Sequence, residues 1–414
     1  MGGSEVTPVP LRRNRDFMLL QAGQLLSALG TASASIAYPL LVLALTGSPA
    51  KAGIVGFART LPLAVFALPA GLAADRWNRK HLMIAADAVR AAAVGAVAAI
   101  VLADAATFWP IPVAAFVEGS ATAVFAACQA GAVRAVVPLR QLPAATAVRT
   151  GRTAAVFLVG PPLGGALFGI ARALPFVVDA FSYAFSIVAL AAMRTPFQEE
   201  REPELASIRT RLVEGFRFLW SRPFIRTCAF LFGLANFMAP GILLAIVVIG
   251  QDQGLSGGEV GFLVGAFGAC ILLGSFLSPL VRRALPVRGV LVLELWTWLG
   301  CGLFLVWPNV YVLAASILPT GLAIPSTDSV VHGYRIAMTP DRLIGRVESV
   351  WSSISLVIAP LGPLAAGLLL GAVSPRATIA VFFCFGLTLA VWGTLSPSIR
   401  AAPSLDELSA VSAR

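Results

Sequence analysis

Apolar runs of about 20 residues succeed one another along most of this 414-residue chain, separated only by short charged or Pro/Gly-rich breaks. About 20 apolar residues is the length at which a helix crosses the ~30 Å hydrocarbon core of a bilayer. Few folds are open to such a chain. In lipid each span has to satisfy its own backbone N–H and C=O groups, so the runs imply an all-α polytopic membrane bundle. With 58% hydrophobic and 12% charged residues and a mean hydropathy of +0.86, a set of soluble domains is excluded.

Twelve spans are expected, at roughly 17–45, 52–74, 81–103, 108–134, 146–170 and 174–193, then 225–250, 258–281, 288–307, 310–334, 347–371 and 375–396. One long charged stretch, RTPFQEEREPELASIRTRLVEGFRFLWSRPFIR, separates two sets of six, and its part from Arg209 to Trp220 reads as a helix on the membrane surface. The domains implied are a tail at 1–16, a six-helix bundle at 17–193, a linker at 194–224, a second bundle at 225–396 and a tail at 397–414.

The net charge of +10 would suit a nucleic acid, so the placement of the basic residues decides. Arginines crowd alternate loops: Arg12, Arg13 and Arg15, then Arg76, Arg79 and Lys80, then Arg134, Arg140, Arg149 and Arg152, and seven from Arg194 to Arg226. Arg282, Arg283 and Arg288, Arg335, Arg342 and Arg346, and Arg400 and Arg414 continue the series, whereas the opposite loops hold only Lys51, Arg172 and Arg376. This is the positive-inside asymmetry: it places both termini in the cytoplasm and makes basicity a matter of topology, not of nucleic-acid binding. The first span has no convincing cleavage site and is expected to stay as an anchor. The arginine- and alanine-rich composition suits a high-GC bacterium, hence the bacterial cytoplasmic membrane with its lipids as surroundings.

The two sets of six are related. A shift of 202 residues lays Pro138 on Pro340, Arg140 on Arg342, Val148 on Val350, Gly160 on Gly362, Pro161 on Pro363 and Gly165 on Gly367. Such internal repeats are the signature of transporter halves. Enzyme signatures are missing: there is no HExxH, Cys/His cluster or phosphate loop, His81 and His332 are the only histidines, and the five cysteines lie singly in apolar runs. Neither catalysis nor a bound cofactor is expected.

Ionisable groups inside spans cost about 2.5–3.5 kcal/mol each on insertion scales, so they are functional candidates. Glu118, Thr122, Phe125 and Gln129 share one helical face of the fourth span, and Asp328, His332 and Arg335 repeat that spacing on the tenth. Gln21, Gln24, Thr31, Ser35 and Tyr38 form a polar stripe on the first. Asp87 and Arg90, three apart on the third, are placed to neutralise each other. Two loops or breaks stand out besides. GLAADRWNRKHLM joins the second and third spans, and FLVGPPLGGALFG puts Gly160, Pro161, Pro162, Gly164 and Gly165 inside the fifth, where a proline removes an N–H donor and glycines leave a smooth packing face.

The first of these resembles the GxLaDRxGRK loop of the major facilitator superfamily, with Gly71, Leu72, Asp75, Arg76, Arg79 and Lys80 in register and Asn78 replacing a glycine. The equivalent loop of the second half, FLSPLVRRALPVRG, lacks the acid. SALGTASASIAYPLLVLALTGSPAKAGIVGFARTLP, RQLPAATAVRTGRTAAVFLVGPPLGG, VEGFRFLWSRPFIR and MTPDRLIGRVESV are similar to the exporter branch that contains the enterobactin exporter and macrolide efflux proteins. The resemblance implies twelve spans in two six-helix halves, a loop that latches the outward-facing state, and a cavity lined by spans one, four, seven and ten. The GPxxGG core at Gly160, Pro161, Gly164 and Gly165 implies a drug/proton antiporter, although Ala147 and Val156 replace upstream glycines of that motif and Thr31 stands where the branch often has an acid.

On this reading Glu118 and Asp328 couple protons, and Gln24, Thr31, Tyr38, Thr122, Gln129, Asn236 and His332 line the substrate cavity. Gly71, Asp75, Arg76, Arg79 and Lys80 form the gating loop, and Gly160, Pro161, Gly164, Gly165, Gly362 and Pro363 the helix-kink motif. Asp328 has a second reading as a partner of Arg335 or His332, and His332 one as a structural hydrogen-bonding residue. Asp179 and Glu294 are set aside, because spans six and nine are peripheral in the superfamily. The function expected is proton-coupled export of a small amphipathic molecule by a monomer working by alternating access, with the proton gradient as energy source. An importer or lipid flippase of the same fold stays open as an alternative, as does, more remotely, a polytopic membrane enzyme.

Overall fold

A computed structural model describes residues 10–197 and 208–402. The outer parts of both expected tails, at 1–9 and 403–414, and residues 198–207 of the expected linker at 194–224 lie outside the described residues. Among the described residues, twelve helices are long and apolar enough to cross a membrane. They are Arg15–Thr46, Pro49–Arg76, Arg79–Leu102, Pro110–Val136, Leu139–Ile170 and Leu174–Ala192, then Pro223–Asp252, Gly257–Ala284, Val287–Val306, Val310–Met338, Arg342–Ala372 and Pro375–Leu395, spans 1 to 12 below. Each alternates direction, so both ends of the helical region reach the same face, the terminal face; the opposite one is the distal face.

Local chemistry sets the boundaries. Asn14, Ser48, Asn78, Ser256 and Ser374 accept hydrogen bonds from backbone N–H groups at the starts of spans 1, 2, 3, 8 and 12, satisfying donors that a helix start leaves open. Ser256 and Glu259 form a full capping box. Span 1 ends at Gly47, whose φ of 62° is the left-handed conformation that glycine adopts without a Cβ penalty. Asn78, where the superfamily loop has glycine, accepts from His81 N at 3.2 Å and so starts span 3 two residues after span 2 stops at Arg76.

Three spans are interrupted, all in the second half. Span 7 breaks at Asn236 and Phe237, span 9 passes through a 3-10 turn at Trp298–Gly302, and span 11 breaks at Ala359 and Pro360. Span 5, in contrast, runs as one α-helix from Leu142 to Ile170 through Pro161 and Pro162. The surface helix expected over 209–220 is Ile208–Ser221. It packs on the start of span 11, where Gly215 lies against the backbone of Arg346 and Glu214 pairs with Arg346.

The halves meet near the distal face through two equivalent crossings. Span 5 lies on span 8 and span 2 on span 11, and small residues let backbones touch. A Cβ on Gly367 would lie 2.6 Å from the Pro49 carbonyl oxygen and 2.7 Å from the Cα of Gly53. The prolines of span 5 serve this contact. Lacking N–H groups, Pro161 and Pro162 free the carbonyls of Phe157 and Leu158 from helical bonding, and those oxygens face Gly268 and Gly265 of span 8, where a Cβ would meet them at 2.5 and 3.0 Å. Freed acceptors against glycine Cα–H groups are a favourable use of the disruption. Gly160 and Gly164 pack instead on Ala32 and Ser33 of span 1, in their own half. Of the glycines expected to give span 5 a smooth packing face, Gly165 therefore meets the other half, whereas Gly160 and Gly164 pack within their own. In the second copy Gly362 lies on Phe237 and Gly241 of span 7, while Pro363 meets Gly53 and Gly56 of span 2.

Toward the terminal face the halves part. A cleft of about 220 Å³ lies between Ala67 and Leu68 of span 2 and Glu348, Ser349, Ser352 and Ser353 of span 11. Leu25, Leu26, Leu68 and Val148 are exposed on the first half. A Cβ on Gly71 or Gly151 would meet nothing. The protein is closed at the distal face and open at the terminal one.

Candidate transport site

The functional candidates of the first half converge on one buried carboxylate. Glu118, 1% exposed, sits in mid-span 4 and accepts a hydrogen bond from Arg59 Nη2 of span 2 at 2.9 Å. Tyr38 of span 1 donates its hydroxyl to Glu118 Oε2 at 3.0 Å, and Tyr183 of span 6 reaches Oε1 at 3.4 Å. Arg59 also donates to the Thr31 carbonyl at 3.1 Å and lies over the Tyr38 ring. The Thr31 hydroxyl shares a 2.8 Å hydrogen bond with that of Tyr183. Four helices are thus tied through one side chain. A close approach of spans 2 and 4 makes it possible, with Gly119 set against the Arg59 carbonyl.

A second buried group adjoins it. Asp87 and Arg90 of span 3 form the expected ion pair, and the Arg90 guanidinium lies over the rings of Phe125 at 4.3 Å and Tyr183 at 4.5 Å. Asp179 of span 6 is fully buried beside Gly30, where a Cβ would stand 2.6 Å from Asp179 Oδ1. Its expected peripheral position is therefore corrected: span 6 packs along span 1, and Asp179 belongs to the charged centre of the half.

Nearer the terminal face, Gln24 Oε1 accepts from Gln129 Nε2 at 2.8 Å and from Arg152, while Gln21 Oε1 accepts from Arg152 at 2.8 Å. Two glutamines thus hold Arg152, and the third, Gln129, holds one of them. Thr122 turns its hydroxyl back to the Glu118 carbonyl. Asn236, at the break of span 7, donates to the Phe232 carbonyl at 3.1 Å.

The second half has a different plan. Asp328 is exposed though closely surrounded by protein, as a group on a cleft wall is. The reading that pairs it with Arg335 is not what the structure shows: Arg335 bridges instead to Glu348 of span 11 at 2.7 Å, contacts His332 Nδ1 at 2.9 Å and stacks over Trp351. Glu294, 6% exposed on span 9, is the acid within electrostatic reach of Asp328.

The gating loop keeps to its own half. Asp75 accepts from Arg79 at 3.3 Å, and Arg79 also donates to the Ala74 carbonyl. Lys80 donates to the carbonyls of Met193 and Ala191 at the end of span 6. Gly71 faces open space, and Arg76 and Trp77 border an apolar groove between spans 2, 3 and 4.

A model of the transmembrane secretion effector family, part of the major facilitator superfamily, matches residues 6–412. The chain belongs to this family. It is an integral membrane transporter of twelve helices and not an enzyme. Among curated relatives, the multidrug efflux pump Tap of Mycolicibacterium fortuitum is 26% identical over 404 residues, covering 93% of this chain and 96% of the relative. The enterobactin exporter EntS of Shigella boydii is 26% identical over 249 residues, covering 58% of this chain and 56% of the relative. Among solved structures, a bacterial homologue of the iron transporter ferroportin in an inward-facing state superposes with a TM-score of 0.69 at 16% identity, covering 93% of this chain and 98% of that one. That likeness carries the fold alone.

Sequence reasoning missed Arg59, Asp179, Tyr183, Arg152 and Glu348 as members of the site. A signal was present for one of them: Arg59 lies inside a span, and a guanidinium in the membrane interior demands a carboxylate.

Proposed function

We propose that this chain is a proton-coupled exporter of small amphipathic molecules, working by alternating access with the terminal face in the cytoplasm. The positive-inside bias supports that orientation, and the relatives named as efflux pump and exporter support the direction of transport. On this orientation the structure is the cytoplasm-open state. The cleft offers Ala67 and Leu68 on one wall and Glu348, three serines and Leu356 on the other, a lining suited to a cargo with an apolar body and a few polar groups.

The observation that carries proton coupling is the Glu118–Arg59 pair. Arg59 lies three residues from Gly56, which packs on Pro363 in the distal seal. A proton on Glu118 removes the charge that holds Arg59, loosens span 2 from span 4, and so acts on the helix that closes the distal face. Efflux of ethidium from cells, with and without a protonophore, tests the reading: collapse of the gradient is expected to abolish extrusion, and gradient-dependent accumulation in place of extrusion would overturn export.

A further inference from the structure

The buried centre of the first half contains more acid than base. Glu118, Asp87 and Asp179 face Arg59 and Arg90, three carboxylates to two guanidiniums among the described residues. The pairing is unequal. Glu118 receives Arg59 and two tyrosine hydroxyls, and Asp87 receives Arg90. Asp179 has no basic partner within ion-pair distance; its Oδ1 accepts a 3.3 Å bond from its own helix neighbour Ser182, and its Oδ2 is buried without any partner. An ionised carboxylate so placed would bear a desolvation cost that nothing offsets.

We infer that Asp179 carries the coupling proton in the cytoplasm-open state, with Glu118 ionised and held by Arg59. This rests on the proton-coupled reading and deepens it by naming where the proton resides. The groups facing Asp179 are those that make a shared proton workable. Span 1 presents Tyr38, span 2 Arg59, span 3 Arg90 with its partner Asp87 behind it, span 4 Glu118, and its own helix Ser182 and, one turn on, Tyr183. Glu118 and the two arginines lie within electrostatic reach of the Asp179 carboxyl, so the third acid can shed its proton only as the balance around it changes. Tyr183 is the link, because its hydroxyl touches both Glu118 and Thr31. A change at Asp179 is therefore felt at Glu118 and, through Arg59, at the distal seal. One proton is counted per cycle: taken up at the Asp179 carboxyl in the distal-open state, carried into this state and released from it to the cytoplasm before cargo is exported, with no other group consumed. The small residue at Gly30 has a reason in this arrangement, since any side chain there would occupy the space of Asp179 and Ser182.

Infrared difference spectroscopy of the purified full-length protein in lipid reports a protonated carboxyl directly, without a transported ligand. A C=O stretching band of a buried protonated acid is expected in the wild type near neutral pH. It should vanish in Asp179→Asn, move in frequency in Asp179→Glu, and persist in Glu118→Gln. A band that survives Asp179→Asn unchanged, or the absence of any such band in the wild type, overturns the assignment. Because the amide imitates the neutral acid, Asp179→Asn should also melt as the wild type does; if it does not fold, the frequency shift in Asp179→Glu decides. Ethidium extrusion driven by a pH step in proteoliposomes supplies the other arm. Extrusion by the wild type that loses its dependence on the pH step in Asp179→Asn supports the inference. Wild-type liposomes that extrude nothing, with the infrared band present and lost in Asp179→Asn, would refute the exporter reading while leaving the protonation site standing.

Discussion

Gly53 and Gly367 meet backbone to backbone where span 2 crosses span 11, so adding one methyl group to either tests whether this contact is the distal seal. In Gly367→Ala the new Cβ would stand 2.6 Å from the Pro49 carbonyl oxygen, 2.7 Å from the Gly53 Cα and 2.9 Å from the Gly53 nitrogen. The nearest of these is about 0.8 Å short of the 3.4 Å at which ordinary contact begins. All three obstructing atoms are backbone, so no side chain can swing aside and the two helices have to separate. Overpacking of this kind costs about 1–3 kcal/mol. The cost falls only on the state in which the two glycines touch. At about 1.4 kcal/mol per tenfold change in an equilibrium constant, the ratio of distal-closed to distal-open molecules should fall by roughly 5- to 150-fold. Pulsed electron-spin distance measurements between labels at Asp104 and Ser374, on distal loops of the two halves, read this as growth of a longer-distance population. Gly151→Ala, where a Cβ meets nothing, is the control. An unchanged distance distribution in a folded Gly367→Ala protein would refute the seal.

Three further outcomes follow from the same contacts. Glu118→Gln leaves the half-buried Arg59 without its charge partner and should cost stability, by less than the about 3–5 kcal/mol of breaking a fully buried pair, while abolishing proton-coupled efflux; in thermal unfolding, Arg59→Gln with Glu118→Gln should recover most of the loss, and normal coupled efflux by the single variant would remove Glu118 from the mechanism. Asp75→Asn should leave the melting temperature unchanged, because the Arg79 pair is exposed and worth under about 1 kcal/mol, yet slow the transport cycle if the loop latches in the opposite state; wild-type turnover would count against a latch. Gln24→Leu removes the oxygen shared by Gln129 and Arg152 and should lower stability by about 1–3 kcal/mol through unsatisfied donors, an expectation that an unaltered thermal transition would defeat.

The twelve spans were legible because hydrocarbon thickness imposes a length, and a length survives in sequence whatever the neighbours. Helix ends such as Thr46 before Gly47, or Arg76 before Asn78, were legible to within a few residues for the same local reasons that cap them. Positions 160 and 362 also gave away the duplication, which the structure displays as matched crossings of span 5 on 8 and 11 on 2. What the chain did not disclose is pairing across it. Glu118 and Arg59 are 59 residues apart, and the place of Arg59 inside a span signals a carboxylate partner without saying which one. Asp179 was misplaced for a different reason: a rule about where span 6 lies in the superfamily outweighed the cost of a buried acid. Arg335 found Glu348 on the next span, beyond the helical face on which its spacing to Asp328 was read.

The two distal crossings also separate what this transporter does from what it carries. They are made largely of main-chain atoms and prolines, which present the same shape to every cargo and discriminate among none. The residues that line the cleft, Ala67 and Leu68 across from Ser349, Ser352 and Leu356, are not among those that meet in either crossing. Mutation can therefore redraw the range of molecules admitted while the crossings stay untouched, and a new cargo needs no new motion.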